Sequence, residues 1–477
     1  MKLPANKTKI VCTIGPASES PDCMERLIRA GMNVARLNFS HGDFAGHKTV
    51  IANLRRAAQS AGARVTIMAD LPGPKIRIGR LAREPIELQT GNAFILTTEE
   101  VPGDERRVTV SLPRLPQAVK PGDTLFLNDG FIQLEVTGAA GTEISCRVLA
   151  GGELRSRKGL NVPGIDLGIS AFTERDSQCL RFALEQGVDA ISQSFVESKA
   201  DIEAVRSAAA ELGHHPFVIA KIERSRALDN IAEILEAADG IMIARGDLGV
   251  EIPIEQIAVV QKQLIRQANL LGKPVITATQ MLESMTVNRR PTRAESTDVA
   301  NAILDGTDCV MLSEESAMGS YPVEAVSMLV KIAAAIEPNR PAFSIREMLR
   351  DIDLRGKQSL TDLIALSVER IHEHISPAAV FVPTLTGATA RSIARFRLPA
   401  WIIAVSSQEQ TCQRLQFSYG VYPAHESDHP DDWNGYIRAW LDRHEVEGTI
   451  VILTEGPSAK HPEANNRMEI IDLIRRG

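Results

Sequence analysis

VDAISQSFVESKADIEAVRSAAAELGHHPFVIAKIE, residues 188–223, contains two short apolar runs separated by a polar, amphipathic stretch. The runs VDAISQSFV, from Val188, and PFVIAKIE, from Pro216, have the length and composition of buried parallel strands. The stretch between them is amphipathic, as expected of a helix that packs on a sheet. A strand, a helix and a second strand in this order predict a βα repeat.

Six more apolar runs of this kind lie before about residue 340. They are KIVCTIGP from Lys9, NVARLNFSHG from Asn33, RVTIMADLPG from Arg64, GIMIARGDLG from Gly240, PVITATQM from Pro274 and DCVMLSEES from Asp308. With the first two they make eight strands, the number in a closed (β/α)8 or TIM barrel. Their spacing is regular except between the third and the fourth, where roughly 90 extra residues are enough for an inserted domain.

The insert and the C-terminal region differ in pattern from the barrel. The insert contains β-rich segments separated by Gly, Pro and Asp turns, including ELQTGNAFILTT and DTLFLNDGFIQLEVTG. After a helical connector around residues 339–360, helix and strand alternate again. We therefore predict an α/β protein with three domains: a barrel (1–70 and 165–340), an inserted small β-barrel lid (71–164) and a C-terminal α/β domain (341–477).

The composition excludes several classes of protein. Hydrophobic residues make up 44% and charged residues 24% of the 477 residues, as in globular proteins. The net charge of −7, without a basic stripe, argues against a nucleic-acid partner. No apolar run reaches the roughly 18 residues that span a bilayer, and the N-terminus lacks a signal-peptide core. We expect no membrane association and a cytoplasmic location.

The six cysteines form no CxxC pair, and several lie in apolar runs, so we expect buried free thiols rather than a metal site. They are Cys12, Cys23, Cys146, Cys179, Cys309 and Cys412.

Polar side chains end five of the eight predicted strands. Because side chains alternate across a strand, Arg36, Asn38 and Ser40 in VARLNFSH point the same way, and so do Lys221 and Glu223 in VIAKIE. The other polar strand ends carry Asp70, Asp247, and Thr277 with Thr279. A lysine–glutamate pair is also common as a surface ion pair, but a barrel needs no polar groups at five strand ends for stability. Active sites of such barrels lie at these ends.

The residue types at the strand ends indicate phosphoryl chemistry with a metal. Glu223 and Asp247 supply two oxygen ligands from adjacent strands, which suits Mg²⁺ or Mn²⁺. Lys221 and Arg36 supply the positive charge that a transferred phosphoryl group requires. At Gly246 the backbone can approach a ligand, and the N–H groups of the following helical turn suit a carboxylate.

Long motifs in this sequence resemble those of the pyruvate kinase family. They are ARLNFSHG, IAKIE around Lys221, ARGDLGVE, TATQMLESM, NRRPTRAESTDVANAILDGTDCVMLSEESAMGSYPVEAV and TGATARSIARFR. Since they span nearly the whole chain in the family's order, the resemblance is specific. It implies phosphoryl transfer from phosphoenolpyruvate to ADP, giving pyruvate and ATP, and a homotetramer with contacts between barrels and between C-terminal domains.

By the same resemblance, Arg36 and Lys221 face the phosphoryl group in transfer, and Lys221 also stabilises the enolate that remains. Glu223 and Asp247 hold the divalent metal. Backbone N–H groups near Gly246 and Asp247 bind the substrate carboxylate.

The remaining assignments implied by the resemblance concern the proton and the nucleotide. Thr279 lies beside the carbon that is protonated to give pyruvate. Arg77, in GPKIRIG, is a second arginine that contacts the phosphoryl group. His41 and Lys158, together with Arg36, lie near the nucleotide.

The third strand departs from the common family pattern, LDTKGPEIR. Here the string is ADLPGPKIR, with Leu71 and Lys75 at the diverging positions. Many members hold K⁺ beside the phosphoryl group, and Asn38, Ser40 and Asp70 match its ligands. Because a lysine ammonium can supply the charge of that ion, we expect activity nearly independent of K⁺.

A regulatory site is expected in the C-terminal domain. The turn between a strand and a helix there suits a phosphate group of a sugar-phosphate or AMP effector, although an ordinary capped helix start has the same form. Its candidate residues are Thr384, Thr386, Gly387, Thr389 and Arg391. The segment TEGPSAKHPEANNRMEI from Thr454 corresponds to the family's effector loop but lacks the glycine-rich form of many members, so the effector stays open.

Three other functions are compatible with parts of this pattern. A metal-dependent lyase or aldolase on the same barrel would share Glu223 and Asp247 but would not require Arg36, Arg77 and a lid. A non-catalytic regulator would be expected to lack one of the catalytic side chains, and all are present. A phosphate-sensing module remains a candidate for the C-terminal domain alone.

Overall fold

A computed structural model of the chain describes residues 2–340, 359–428, 430–456 and 465–474. Most of the expected helical connector, residues 341–358, and the centre of the expected effector loop, residues 457–464, lie outside the described residues. Among the described helices, none is long and apolar enough to cross a membrane.

Eight parallel strands close into a barrel in the order β1-β16-β15-β14-β13-β12-β3-β2. The eight strands are β1 (Lys9–Thr13), β2 (Val34–Asn38), β3 (Thr66–Leu71), β12 (Ala190–Gln193), β13 (Phe217–Ile222), β14 (Gly240–Ala244), β15 (Val275–Ala278) and β16 (Cys309–Leu312). Each corresponds to one of the eight apolar runs, and nearly every strand residue is buried on both faces. The predicted (β/α)8 barrel is confirmed.

The barrel helices begin where the sequence supplies a cap. Thr173 and Asp176 form a capping box at α4, and Thr292 with Glu295 form another at α10. The helices are α1 (Pro21–Ala30), α2 (Phe44–Ala61), α4 (Glu174–Glu185), α5 (Lys199–Glu211), α6 (Ser225–Asp229), α7 (Ile231–Ala237), α8 (Arg245–Glu251), α9 (Ile257–Leu270), α10 (Arg293–Asp305), α11 (Glu314–Ala317) and α12 (Pro322–Ile336). Short 3-10 helices cover Ile254–Gln256, Glu283–Thr286 and Glu337–Asn339.

The inserted domain, called the lid below, consists of a six-stranded sheet ordered β11-β7-β8-β9-β5-β6 and a two-stranded sheet of β10 and β4. Its elements are β4 (Ile86–Leu88), β5 (Ala93–Thr97), β6 (Arg107–Thr109), α3 (Leu115–Ala118), β7 (Thr124–Leu127), β8 (Ile132–Ala140), β9 (Glu143–Ala150), β10 (Gly152–Leu154) and β11 (Leu160–Asn161). Alternate residues of these strands are buried around Phe94 and Leu125 in a hydrophobic core separate from that of the barrel. The lid leaves the barrel after β3 and returns before α4.

The C-terminal domain contains a five-stranded sheet ordered β19-β18-β17-β20-β21, in which only β21 is antiparallel. Its strands are β17 (Ala379–Pro383), β18 (Trp401–Ser406), β19 (Val421–His425), β20 (Ile450–Glu455) and β21 (Arg467–Asp472), and its helices are Leu360–His372, Ala388–Ala394, Glu409–Arg414 and Trp433–His444, with a 3-10 turn at Leu415–Phe417. The predicted α/β domain is confirmed.

The C-terminal domain closes the amino-terminal end of the barrel. Phe417 belongs to the cluster of inward-facing barrel residues and stacks on Phe217, with ring centroids 5.4 Å apart. Arg397 pairs with Asp308 at 2.6 Å, and Lys9 Nζ donates to the Val421 carbonyl at 2.7 Å. A ligand therefore reaches the barrel from the opposite end, where the strands finish and the lid is attached.

All six cysteines are free; five are buried and Cys23 is half-buried. This confirms the expectation of buried thiols for five of them.

Candidate active site

Four consecutive barrel strands, β2, β3, β12 and β13, bring charged and polar side chains together at the carboxyl end of the barrel. Asp70, at the end of β3, is 2% exposed and accepts from Arg36 Nε of β2 at 2.9 Å. The Arg36 Nη2 atom also contacts Asp70. Lys221 of β13 places its Nζ 3.3 Å from the same carboxylate oxygen, and Ser192 of β12 donates to the other oxygen at 2.6 Å.

Lys221 and Glu223 form the close pair that strand alternation predicts. Lys221 Nζ lies 2.9 Å from Glu223 Oε1 and donates to Ser194 Oγ at 2.7 Å. The second oxygen of Glu223 accepts from the Phe195 N–H at 2.7 Å. Since both charged side chains are at most 10% exposed, a surface ion pair is excluded.

Burial and charge act in opposite directions on these groups. Burial raises the pKa of Asp70, but Arg36 and Lys221 outweigh it, so the pKa is lowered and the carboxylate stays ionised. Burial lowers the pKa of Lys221, but Asp70 and Glu223 outweigh it, so the pKa is raised and the ammonium stays charged. Burial raises the pKa of Glu223; Lys221 opposes this shift, and the negative charge of Asp247 adds to it.

The raised pKa of Glu223 provides a test of the expected metal site. Two carboxylates close enough to repel each other, one of them buried, form a site that a divalent cation would stabilise. Asp247 lies in the first turn of α8 and is about one-third exposed, so it is accessible from the lid side. Within the described residues, no group of three or more His, Cys, Asp and Glu side chains could hold a metal. The donor set fits Mg²⁺ or Mn²⁺ with substrate and water completing the coordination.

The start of α8 contacts the neighbouring strand end through Thr279. The Gly246 N–H donates to Thr279 Oγ1 at 2.8 Å, and this hydroxyl donates to the Ala278 carbonyl at 2.6 Å. The substrate carboxylate expected at Gly246 would therefore meet an N–H that already has a partner.

Thr279 has a strained backbone. Its φ is +70°, rare for a β-branched residue, and Gln280 follows at +55°. Arg245 holds this segment, because its Nη2 donates to the Thr279 carbonyl at 2.8 Å while it also pairs with Asp298 at 2.6 Å. Strain of this kind persists where surrounding contacts fix it, commonly in active sites.

Lys75 places its charge beside Asp247, one of the two carboxylates expected to bind the metal. Its Nζ lies 3.9 Å from Asp247 Oδ1, and its side chain packs near Gly159 of the returning lid segment. Of the expected K⁺ ligands, Asn38 accepts from the Ser40 N–H at 3.1 Å. Asp70 already contacts Arg36, Lys221 and Ser192.

Arg77, the expected second phosphoryl arginine, lies after β3, and the candidate nucleotide residues His41 and Lys158 lie after β2 and before β11. Arg77 is half-buried, bridges to Gly159, and donates to the Arg157 carbonyl at 3.1 Å. The Lys158 carbonyl accepts from Ile78 N–H at 2.9 Å. His41 is exposed just beyond β2.

The candidate effector turn precedes the helix Ala388–Ala394. The Gly387 N–H donates to Thr384 Oγ1 at 2.9 Å, and Gly387 has φ +81°. Arg391 Nη2 donates to the Thr386 carbonyl at 3.2 Å, and burial lowers the pKa of Arg391. Thr389 is half-buried on the same helix. The hydroxyls of Thr384 and Thr386 accept from the N–H groups of Gly387 and Ala388, but the N-cap position of the helix itself is Gly387, so the helix begins without a side-chain cap.

Sequence reasoning missed the serines that hydrogen-bond Asp70 and Lys221, and the ion pair that holds Thr279. Ser192 and Ser194 lie two positions apart in AISQSF, the same alternation that identified Lys221 and Glu223, but small hydroxyls in an apolar run looked like strand interior. Arg245 and Asp298 were missed because their contact joins distant segments.

Comparisons with known proteins agree with this geometry. Residues 5–326 match the family model of the pyruvate kinase barrel domain, and residues 362–471 match that of the pyruvate kinase alpha/beta domain. A pyruvate kinase from Thermococcus litoralis is 46% identical over 474 residues, covering 99% of this chain and 100% of that protein. One from Geobacillus stearothermophilus is 44% identical over 99% of this chain and 81% of its own length. A crystal structure of a pyruvate kinase from Cryptosporidium parvum superposes with a TM-score of 0.91 at 35% identity, covering 98% of this chain and 96% of that one.

Proposed function

The chain belongs to the pyruvate kinase family, and we propose how its residues divide the reaction of that family. The enzyme transfers the phosphoryl group of phosphoenolpyruvate to ADP, and the enolpyruvate that remains is protonated to pyruvate. The observation that carries the proposal is the buried cluster of Arg36, Asp70, Lys221 and Glu223, which is preorganised at the open end of the barrel.

Arg36 and Lys221 stabilise the phosphoryl group in transfer. Asp70 holds both cations in place, and burial keeps their charges poorly screened, so their stabilisation is strongest where negative charge develops. Lys221 also stabilises the enolate oxygen. Arg77 approaches the phosphoryl group from the lid, because its segment links the lid to the barrel.

Members of this family depend on metal, and Glu223 with Asp247 are the proposed ligands of Mg²⁺ or Mn²⁺ in this chain. When bound, the ion supplies a Lewis acid for the carboxylate, enolate and phosphoryl oxygens. Hydrogen bonds from Phe195 and Lys221 fix the orientation of Glu223, as supporting residues around metal sites commonly do.

The substrate carboxylate binds at the start of α8, at the Asp247 N–H and at the Gly246 N–H, where it replaces Thr279 Oγ1 as the acceptor. Thr279, held by Arg245, lies beside the carbon to be protonated. A threonine hydroxyl is a poor acid at neutral pH, so the proton reaches the carbon through water that Thr279 orients. The lid excludes bulk water during phosphoryl transfer.

The nucleotide binds between the barrel and the lid, near Arg36, His41 and Lys158. Lys75 contributes the charge that K⁺ supplies in other members, and its position 3.9 Å from Asp247 supports a role next to the metal. Asn38, Ser40 and Asp70 are then free of a requirement to bind K⁺. The cytoplasm is the proposed location.

Regulation and assembly are also part of the proposal. A sugar phosphate or AMP binds at the turn of residues 384–391, on which Arg391 carries a positive charge. A homotetramer is supported by exposed apolar residues in two regions: Val287 and Met318 on the barrel are 72% and 64% exposed, and Ile470 on the edge strand β21 is 54% exposed.

The deciding experiment measures pyruvate formation from phosphoenolpyruvate and ADP, coupled to lactate dehydrogenase, with Mg²⁺ present. Metal- and ADP-dependent pyruvate formation is expected. A lyase or aldolase acts on a carbon–carbon bond and does not remove a phosphoryl group, so it would form no pyruvate from phosphoenolpyruvate, and neither would a non-catalytic regulator. Absence of pyruvate formation, or formation that does not depend on ADP, would overturn the proposal.

A further inference from the structure

Ser194 and Phe195 follow β12. They lie between Lys221 and Glu223, called the catalytic pair below, and the segment that leads into the lid. Each makes one contact toward Lys221 or Glu223 and one contact toward residues 71–73, so two consecutive residues join the same two parts of the molecule.

Ser194 makes its two contacts through one hydroxyl. Its Oγ accepts from Lys221 Nζ at 2.7 Å and donates to the Leu71 carbonyl at 2.7 Å. A hydroxyl has a single proton, so donation to Leu71 leaves its lone pairs for the ammonium and fixes the direction from which Lys221 is held. The serine is 3% exposed, so both of its hydrogen bonds are shielded from bulk water.

Phe195 holds Glu223 through its backbone. Its N–H donates to Glu223 Oε2 at 2.7 Å, with Phe195 in the left-handed region at φ +57°. A bulky residue adopts this conformation only when its surroundings impose it. Arg224 covers the ring, 5.3 Å from its centroid, and the side chain is 8% exposed.

The lid segment lies directly against this residue. Gly73 has φ +64°, and a Cβ placed there would come 2.7 Å from Phe195 Cδ2 and 3.1 Å from Ser194 Cβ. The Gly73 N–H donates to Asp176 Oδ1 at 2.9 Å, which anchors the segment to α4. A displacement of Gly73 toward the barrel therefore has to move Phe195.

We propose that Ser194 and Phe195 are positioning residues that couple the lid to the catalytic pair, an inference that rests on the proposed roles of Lys221 and Glu223. Leu71 is the last residue of β3, and Gly73 lies in the segment that leads from β3 into the lid. When this segment moves, Gly73 shifts Phe195, and the neighbouring Ser194, whose hydroxyl is bound to the Leu71 carbonyl at the end of β3, shifts with it. The Lys221 ammonium and the Glu223 carboxylate then move as well. The position of the lid therefore determines both the position of the charge that faces the phosphoryl group and the position of the metal ligand.

The test is a double-mutant cycle of Gly73→Ala and Phe195→Ala in the full-length protein, read by Mn²⁺ binding to the resting protein with electron paramagnetic resonance. Gly73→Ala alone should weaken Mn²⁺ binding by about tenfold, because the new methyl group pushes on the residue that holds Glu223. In the Phe195→Ala background the same change should cost less than about threefold, because the 2.7 Å contact with the ring is gone and only the strain at φ +64° and the 3.1 Å contact with Ser194 Cβ remain. Equal losses in both backgrounds would overturn the coupling; if Phe195→Ala does not fold, Phe195→Leu replaces it in the cycle.

A second measurement tests the hydroxyl. Ser194→Ala should lower kcat by about tenfold or more with little change in the KM for phosphoenolpyruvate, because the ammonium loses its support rather than the substrate its contacts. Ser316→Ala is the matched control, since the Ser316 hydroxyl is also buried and donates to a backbone carbonyl, that of Thr13 at 2.8 Å. Equal effects of the two alanines on kcat would contradict the role of Ser194. The unmodified enzyme separates this proposal from the one it rests on: failure to form pyruvate would reject the proposed function, whereas the Mn²⁺ cycle requires no turnover.

Discussion

The charges of individual side chains around the site nearly cancel. Three cations meet three carboxylates there. The cations are Arg36, Lys75 and Lys221, and the carboxylates are Asp70, the buried Glu223 and Asp247. A divalent ion would make this balance positive, and the negative charges of the phosphate and carboxylate groups of the substrate would then restore it. Metal and substrate are therefore expected to strengthen each other's binding.

Replacing Lys221 by methionine tests the main catalytic charge. The change keeps the length of the side chain but removes the ammonium that faces the phosphoryl group, so kcat should fall by on the order of 10³ or more. Lys199→Met is the control, because Lys199 forms a 3.3 Å ion pair with Glu203 at the surface. Steady-state kinetics with circular dichroism check the result, and unchanged turnover in folded Lys221→Met would refute the role.

Lys75 determines the expected response to K⁺. The fixed ammonium beside Asp247 should make the activity nearly independent of K⁺. Lys75→Glu should create a K⁺ requirement, whereas Lys75→Gln should lose activity without gaining one. Leu71 is left unchanged, because its side chain is buried in the hydrophobic core and cannot supply a ligand to the site. Initial rates are measured against KCl at an ionic strength held constant by a tetraalkylammonium salt. Saturable activation of the unmodified enzyme by millimolar K⁺ would show that the ion still binds.

At this scale the sequence predicts which side chains belong to the site, but it does not predict which of them contact one another. Arg36 and Lys221 were identifiable because long charged residues are conspicuous at the end of an apolar strand. Their common partner, the Asp70 carboxylate, follows only from the order in which strands close the barrel. The support from Ser194 depends on a hydrogen bond across two strands, for which a serine in an apolar run gives no distinct signal.

At the scale of elements, the turn before β12 contains a half-buried acid, Asp189, that opposes folding at neutral pH. Asp189 accepts from the Ile67 N–H at 2.8 Å, and burial raises its pKa to about 6. The folded protein therefore holds this proton more tightly than the unfolded chain, whose ordinary value is lower. The stabilisation is fully present at pH below the unfolded value and is lost as the pH rises through about 6.

Asp189→Asn should remove this pH dependence, because an amide mimics the protonated acid and its oxygen still accepts from Ile67. Relative to the unmodified protein, the variant's gain in stability should grow between pH 4.5 and 7.5 by about 2 kcal/mol. Apparent Tm values at the two pH values measure the difference. The exposed Asp428→Asn is the control and should follow the unmodified protein. A gap in Tm that stays constant across this range would show that Asp189 titrates normally.

On the scale of the whole molecule, apolar periodicity was enough to predict the barrel and the C-terminal sheet. Each strand buried on both faces yields a continuous apolar run, and eight such runs admit few other closed sheets. Periodicity does not show how domains pack. The insertion of Phe417 into the amino-terminal end of the barrel and the Arg397–Asp308 pair were not predicted, because each depends on contacts between residues about a hundred or more positions apart.

The edge of the C-terminal sheet leads to a prediction about assembly. Among the described strands, β21 pairs with β20 alone and lies at the edge of the sheet, and Ile470 on it is 54% exposed. In a two-fold assembly this strand would pair with its own copy, which buries both isoleucines.

A lysine at position 470 in each copy would bring two like charges together. Ile470→Lys should therefore convert the expected tetramer into a dimer held by the barrels, as measured by size-exclusion chromatography with light scattering at micromolar concentration. Leu212→Lys places the same charge at another exposed apolar residue, 37% exposed at the end of α5, and should leave the tetramer intact. A tetramer that persists in Ile470→Lys would place the interface elsewhere, and a monomeric unmodified protein would reject the assembly itself.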